Sequence, residues 1–193
     1  MNKQRCGPED MDKLFIQYHD DQWGKPTFDD NVMFEFLVLE SFQAGLNWNM
    51  ILQKRESFRK ALDEFDYQKI AKYDKEKLSK LLKNEDIIRN QPKLEATINN
   101  AAKFIEVQEE YGSFSQFVWA YVDNKPIDNK VKNYKNAKSS NELSSKIAED
   151  LKDKGFQFIG PTVIYSFMEA MGLINNHEVS CFRYEEVKNV ELA

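Results

Sequence analysis

The chain has 193 residues, 41% hydrophobic and 13% aromatic, with seven glycines and five prolines, which suits one buried core and argues against a turn-rich β-sandwich or a disordered polymer. A formal charge of −5 excludes a surface that grips phosphate everywhere but leaves room for one localised nucleic-acid face. The opening MNKQRCGPEDMDK lacks the apolar stretch of a secretory signal, and no apolar run approaches the roughly 18 residues that span a bilayer, so a cytoplasmic, monomeric protein with no membrane partner is expected.

Apolar residues recur at helical spacing almost throughout, and no alternating run of β-branched residues suggests a sheet. The reading is an all-α protein of about eight to ten helices, one domain over 1–193, with a two-lobed arrangement allowed by a break around 123–140. Residues 29–45, DDNVMFEFLVLESFQAG, form a predicted helix with acidic residues in its first turn and glycine at its end. Trp48 opens the next helix, whose inner set is Ile51, Leu52, Phe58 and Leu62. Asp66 and Asp74 have the chemistry of N-caps for two short helices. A long helix follows Pro92 and stops at Gly112, and Ser113 caps a segment carrying Phe114, Phe117, Val118 and Trp119. The stretch DNKPIDNKVKNYKNAKSS (123–140) is polar and aperiodic, as expected of an exposed connection. A helix over 141–154 follows, then GFQFIG, then the helix PTVIYSFMEAMG.

Three of these segments carry chemistry. In the hairpin, Gly155 suits a left-handed helix end, Gly160 permits close approach, and Pro161 suits a first helical turn. Phe156, Phe158 and Ile159 are expected to tuck the hairpin onto the core. A hairpin feeding a helix N-terminus presents backbone N–H groups to an anion such as a DNA phosphate, with Lys152 and Lys154 adding charge; an ordinary helical hairpin with a glycine cap has the same pattern. Glu40 falls on the stripe of Met33, Phe36 and Leu37, so it points with the apolar face. A carboxylate there needs either a buried Arg or Lys or a ligand bearing amine donors or positive charge. The loop that follows, Gln43-Ala44-Gly45-Leu46-Asn47-Trp48, offers a flexible glycine, an apolar Leu46 and a Trp48 that is either core or a stacking platform for a base.

The chain's two cysteines and two histidines lie near its ends: Cys6 and His19, then His177 and Cys181. The i,i+4 spacing of His177 and Cys181 would put both on one face of a helical turn, and two donors from each end complete the four tetrahedral ligands of a closed zinc site. Two buried thiols with a core and a surface histidine fit the same pattern, so metal ligation is one of two readings. Tyr18-His19-Asp20 followed by Trp23-Gly24-Lys25-Pro26 places a phenol beside one candidate ligand, which would pre-organise Tyr18 if His19 were fixed.

These residues carry a family resemblance. Arg5-Cys6-Gly7, Tyr18-His19-Asp20 with Trp23-Gly24 and Pro26, Leu39-Glu40 with Gln43-Ala44-Gly45-Leu46 and Trp48, Ile87-Ile88-Arg89, Phe117-Val118-Trp119, Gly155-Phe156 with Phe158 and Gly160, Tyr165-Ser166-Phe167, and Asn176-His177 with Cys181 occur in order along the chain. With them the sequence resembles the DNA-3-methyladenine glycosylase I family over essentially its whole length. The resemblance implies a helix-hairpin-helix glycosylase fold whose termini are joined by one structural Zn²⁺ on Cys6, His19, His177 and Cys181. It also implies a monofunctional base-excision enzyme, without a lyase step, that flips 3-methyladenine out of double-stranded DNA and releases it by hydrolysis. Glu40, Tyr18 and Trp48 are assigned to the base pocket, with Glu40 and Tyr18 the catalytic candidates. Gly45 and Leu46 form the loop that fills the gap left by the flipped base, and Lys154, Gly155, Gly160 and Thr162 face the DNA.

Glycosylases of this fold usually carry an Asp shortly after the hairpin. The resembled family lacks it, and the helix here offers only Glu169. A base that is already cationic leaves easily, so extrusion and recognition carry most of the burden. The family's pocket aromatic after the first cysteine is Pro8 in this chain, so Phe15 or Phe42 is the expected substitute. Phe42 and Asn47 also depart from the family's usual residues. A zinc-stabilised DNA-binding module without catalysis would keep the four ligands and the hairpin but would need no buried Glu40.

Overall fold

The structure, a computed structural model, describes residues 3–7 and 11–188; Pro8 lies outside them. In chain order the described helices are α1 (Lys13–Asp21), α2 (Asp30–Gln43), α3 (Trp48–Ala61), α4 (Tyr67–Ile70), α5 (Lys75–Lys83), α6 (Gln91–Tyr111), α7 (Phe114–Trp119), α8 (Glu142–Asp153), α9 (Pro161–Ala170) and α10 (Arg183–Lys188). The caps read from the sequence form: Asp66, Asp74 and Ser113 accept backbone N–H groups at the starts of α4, α5 and α7, and Gly112 ends α6 at φ 87°. Among the described residues no helix is long and apolar enough to cross a membrane.

The core is built around α2. Every residue from Met33 to Phe42 is buried, and α3, α6, α7 and α9 all pack against this helix. A helix covered on all sides has no solvent face, so the stripe argument understates the position of Glu40 and misses Glu35, which is also buried. Asp30, at the start of α2, reaches across to accept the backbone N–H groups of Phe114 and Ser115 at 2.9 and 2.8 Å. It thereby joins the beginning of the central helix to the beginning of α7, and its charge suits a helix N-terminus.

Helix α6 holds two loops from one side. Lys93 and Asn100 are seven residues apart, about 10 Å along the axis and on the same face. Lys93 Nζ donates to the carbonyls of Phe42 and Ala44 at 3.0 and 2.7 Å, closing the C-terminus of α2. Asn100 exchanges two hydrogen bonds with the backbone of Gln157, while Asn99 donates to the Gly155 carbonyl at 2.8 Å. The α2–α3 loop and the α8–α9 hairpin are therefore fixed to a common support.

The 123–140 connection is exposed along most of its length, as expected, but it is also paired: β1 (Ile127–Asp128) runs parallel to β2 (Ile174–Asn175), Ile127 opposite Ile174, and a further bridge joins Val131 to Glu178. Two expectations need correction. Residues 177–181 are not a helical turn; a β-bridge and a turn closed by Cys181 N–H to the Glu178 carbonyl (2.8 Å) bring the two side chains together instead. Phe158 does not tuck inward. It is 48% exposed with φ 53°, while Phe156 and Ile159 are buried: the left-handed backbone that completes the hairpin turns its side chain away from the core.

Gly172, which ends α9, sits at φ 72° against the 25–26 backbone, where an added Cβ would lie 2.4 Å from the Pro26 nitrogen. Left-handed φ alone costs an alanine about 1–3 kcal/mol, and the backbone contact adds to that. Gly172→Ala is expected to destabilise the protein by more than about 2 kcal/mol in urea unfolding; an unchanged midpoint would remove the constraint.

Candidate functional site

A cleft of roughly 520 Å³, counting its open mouth, lies where α1, the C-terminal half of α2, the start of α3 and α9 converge. Tyr18, Trp23, Glu40, Trp48 and Glu169 line it, joined by Ser166 and by Tyr134 from the 123–140 connection. Tyr18 is 5% exposed, its ring 6.0 Å from Phe36 and 5.3 Å from Trp48. The Trp48 Nε1–H is buried without an acceptor. Asn47 is the N-cap of α3 and accepts from Met50 N–H at 2.8 Å, fixing the start of the helix that carries Trp48. Of the two expected aromatic substitutes, Phe15 lines the cleft, whereas Phe42 is fully buried against Phe58, ring centres 4.7 Å apart.

Glu35 and Glu40 make the decisive contrast. They are 3% and 4% exposed on the same helix. Glu35 receives Arg55 Nε at 2.7 Å and a second guanidinium from Arg59, the ordinary solution for a buried carboxylate. Glu40 Oε2 is buried with no hydrogen-bond partner, and the charged group that acts on Glu40 is a second carboxylate, Glu169. Burial first, then Glu169, raises the Glu40 pKa well above its usual range. Glu169 is pushed up to about 7 by burial, opposed by Asn176 Nδ2, which donates to its Oε1 at 2.7 Å. Of the two partners that the sequence allowed for Glu40, a basic side chain is therefore absent among the described residues. Two carboxylates facing one aromatic cleft without a counter-charge make a site for a cation or for a ligand rich in N–H donors.

Beside the cleft, the four candidate metal ligands converge. Their ligating atoms all lie within 4.8 Å of one another, and all four residues are buried. Cys6 Sγ stands 3.4 Å from His19 Nε2 and 3.5 Å from His177 Nδ1; Cys181 Sγ stands 3.5 and 3.6 Å from the same two nitrogens. The outer nitrogen of each imidazole has its own acceptor: His19 Nδ1 meets Asp20 Oδ1 at 2.9 Å, and His177 Nε2 meets the Trp23 carbonyl at 3.0 Å. Asp20 is held in turn by Arg5. Gly24 leaves room for the His177 ring, since a Cβ there would approach Nε2 to 2.8 Å. The hydrogen bond from Cys181 and burial push the Cys6 thiol far up, while Cys6 and then the two imidazoles pull Cys181 down.

The sequence-predicted DNA-facing residues fall into two groups, of which Gly45, Leu46 and Thr162 are exposed and Lys154, Gly155 and Gly160 partly buried. Gly45 (φ 84°) has nothing within 4 Å of an added Cβ, and Leu46 is 39% exposed. In the hairpin Gly155 takes φ 90° as expected, Gly160 is the N-cap of α9 without a side-chain cap, and Thr162 is exposed. Lys154 is engaged within the protein: its ammonium binds Glu110 Oε2 at 2.7 Å and rests over the Tyr111 ring. Sequence reasoning missed Lys93, Asn99, Asn100 and Tyr134. The only signal for Lys93 was its place on the inner face of α6, where a charge is unexpected.

A model of the methyladenine glycosylase family matches residues 8–184. The chain belongs to the methyladenine glycosylase family. It is 40% identical over 177 residues to the DNA-3-methyladenine glycosylase of Haemophilus influenzae, covering 92% of this chain and 96% of that protein. It is 38% identical over 181 residues to DNA-3-methyladenine glycosylase 1 of Escherichia coli, covering 94% and 97%. A crystal structure of 3-methyladenine DNA glycosylase I superposes with a TM-score of 0.88 at 40% identity, covering 93% of this chain and 98% of that one. A variant of 3-methyladenine DNA glycosylase I solved in complex with 3-methyladenine superposes with a TM-score of 0.88 at 35% identity, covering 90% and 93%. The mostly helical architecture is thus that of the family.

The raised pKa of Glu40 makes a stability prediction for this glycosylase-family chain. Its folded pKa lies above the ordinary value of 4.5, so the folded state holds more protons than the unfolded chain once the pH exceeds 4.5. Stability is therefore lost as the pH rises from there; Glu169 adds to the loss until the pH passes about 7. Glu40→Gln is expected to melt at a higher temperature than wild type at neutral pH, with the gap closing below pH 4.5. A melting series across that window checks it, and a variant less stable than wild type at neutral pH would contradict the assignment.

Proposed function

We propose that the protein is a monofunctional DNA repair glycosylase that extrudes 3-methyladenine from double-stranded DNA and releases it by hydrolysis. The observation that carries this reading is Glu40, a buried carboxylate without a counter-charge in an aromatic cleft of a methyladenine glycosylase family member. Adenine methylated at N3 is cationic in DNA and presents an exocyclic amine; Glu40 supplies the matching charge and acceptor. As the cation enters, it favours ionised Glu40, so recognition and charge compensation are one event. Trp48 and Tyr18 supply stacking and edge contacts.

The chemistry asked of the protein is modest. The bond between C1′ and the base breaks with its electron pair going to a base that was positively charged and leaves neutral. Water adds hydroxide to C1′ and gives up a proton. Glu40 acts by binding and orienting the base, not as a nucleophile. Leu46, at the tip of the loop that Lys93 closes, fills the vacated stack. The α8–α9 hairpin, read as a helix-hairpin-helix element, offers the uncapped N-terminus of α9 to a phosphate. Because Lys154 is tied to Glu110, backbone N–H groups and Thr162 carry more of this contact than Lys154.

The four-residue cluster fits a structural zinc ion. Zn–S of about 2.3 Å and Zn–N of about 2.0 Å at tetrahedral angles require S···N edges of about 3.5 Å. The four observed edges run from 3.4 to 3.6 Å. Two buried sulfurs side by side need a cation to be thiolates together, and the outer hydrogen bonds of both imidazoles leave the inner nitrogens free to ligate. Four protein ligands fill a tetrahedron, so the ion's contribution is to tie the two ends of the chain together.

Protein purified without added metal is expected to contain one zinc per chain, and chelation should lower its melting temperature; a metal-free, fully folded protein would overturn the assignment. For the activity, methylated duplex DNA should release free 3-methyladenine. Glu40→Gln should reduce that release and the affinity for free base together by about tenfold or more, the scale of a charged hydrogen bond, with zinc content unchanged. A sugar adduct trapped on Glu40, or undiminished base binding by the variant, would sink this role.

A further inference from the structure

The 123–140 connection contributes one aromatic side chain to the cleft, Tyr134, and holds it there by contacts that a mere linker does not need. Its backbone N–H donates to Glu178 Oε1 at 2.7 Å. Glu178 bridges to Val131, and Val179 N–H donates to the Val131 carbonyl at 2.9 Å. Asn133 accepts from Lys135 N–H at 2.9 Å, capping the single turn Tyr134–Asn136. Upstream, β1 is locked in register against β2. The Tyr134 ring then packs edge-on against Trp23, centres 5.5 Å apart at 82°, and Trp23 packs edge-on against His177 at 4.5 Å and 74°. A polar segment with few apolar contacts would ordinarily wander over the surface. Here the attachments around Val131–Asn136 fix the residue whose ring lines the cleft.

We propose that Tyr134 is a base-contacting residue, and that the connection carrying it is a wall of the base pocket that selects for a cationic purine. The inference rests on reading the cleft as the base pocket. Tyr18, Glu40 and Trp48 are carried by α1, α2 and α3, all packed into the core. Tyr134 faces them from the connecting segment and shares the cleft with Glu40 and Glu169. A phenol is protonated at neutral pH, and Tyr134 is no exception beside two carboxylates. A neutral phenol so placed adds a π-surface, which attracts a cation, and an O–H donor that suits a carboxylate.

The position of Glu178 makes this wall depend on the cysteine–histidine cluster. It lies between His177 and Cys181 in sequence, so the turn that brings those two side chains together also presents the carboxylate that fixes Tyr134.

The test measures free 3-methyladenine binding, by tryptophan fluorescence and by calorimetry, on wild type, Tyr134→Phe and Tyr134→Ala. Loss of the ring should weaken binding about tenfold, while Phe should stay within about threefold. Release from methylated duplex should fall in the same order. If Tyr134→Ala proves poorly folded by thermal melting, Tyr134→Leu keeps the bulk without the ring and should show the same loss. Wild type that binds the base while a folded ring-less variant binds it equally well overturns this inference alone. Wild type that binds no free base overturns the base-pocket reading and this inference with it.

Discussion

The molecule is organised around a carboxylate taken out of water without a counter-charge. Glu35 shows that the same helix can bury a glutamate conventionally, between two arginines. Glu40, five residues on, has no such partner and faces Glu169 across an aromatic cleft. An unpaired buried carboxylate is costly to ionise, and a well-covered helix holds it in a fixed place. The unbroken burial of Met33–Phe42 serves that end. So does the Lys93 clasp, which closes the C-terminus of α2 just beyond Glu40. Burial lowers the Lys93 pKa; two carbonyls at the negative end of the α2 dipole are what make its ammonium tenable there.

The same clasp links the cleft to the outer surface. Lys93 fixes the exit of α2, and the exposed Gly45 and Leu46 follow immediately. One face of α6 further along, Asn100 and its neighbour Asn99 fix the α8–α9 hairpin. A seven-residue interval on an α-helix returns to nearly the same azimuth, so the spacing between the α2–α3 loop and the hairpin is set by a rigid element. On the proposed function, one loop enters the duplex and the other meets its backbone, and their separation must match the DNA. The support for that match is a pattern of Lys93, Ala96, Thr97 and Asn100 on the buried side of α6.

What could be read from the sequence was local. N-caps, the glycine ends of helices and the buried side of α3 depend on neighbours within a turn or two, and Asp66, Asp74, Gly112 and Ser113 do what their chemistry suggests. The cysteine–histidine set was legible by inventory, though its geometry was not: His177 and Cys181 meet through a bridge and turn, because residues after β2 are committed to pairing with the 123–140 connection. Parallel pairing of two-residue strands leaves no periodic trace, so that connection looked like bare linker and Tyr134 went unseen. Phe158 misled for a related reason: its direction is set by a left-handed φ that hydrophobicity does not report.

Specificity on the proposed reading follows from what the cleft rejects. A neutral purine brings donors and stacking surface but no charge. Glu40 then gains nothing to offset the burial and the Glu169 charge that raise its pKa, and it ionises there without compensation. A cationic purine relieves both conditions, because its charge is the one thing that the surrounding side chains do not supply. Discrimination is therefore a difference between two bound states of the same pocket, and it grows as the empty site becomes less favourable for a carboxylate. On this reading, the unfavourable setting retained at Glu40 is what would let the pocket distinguish a damaged base from an intact one.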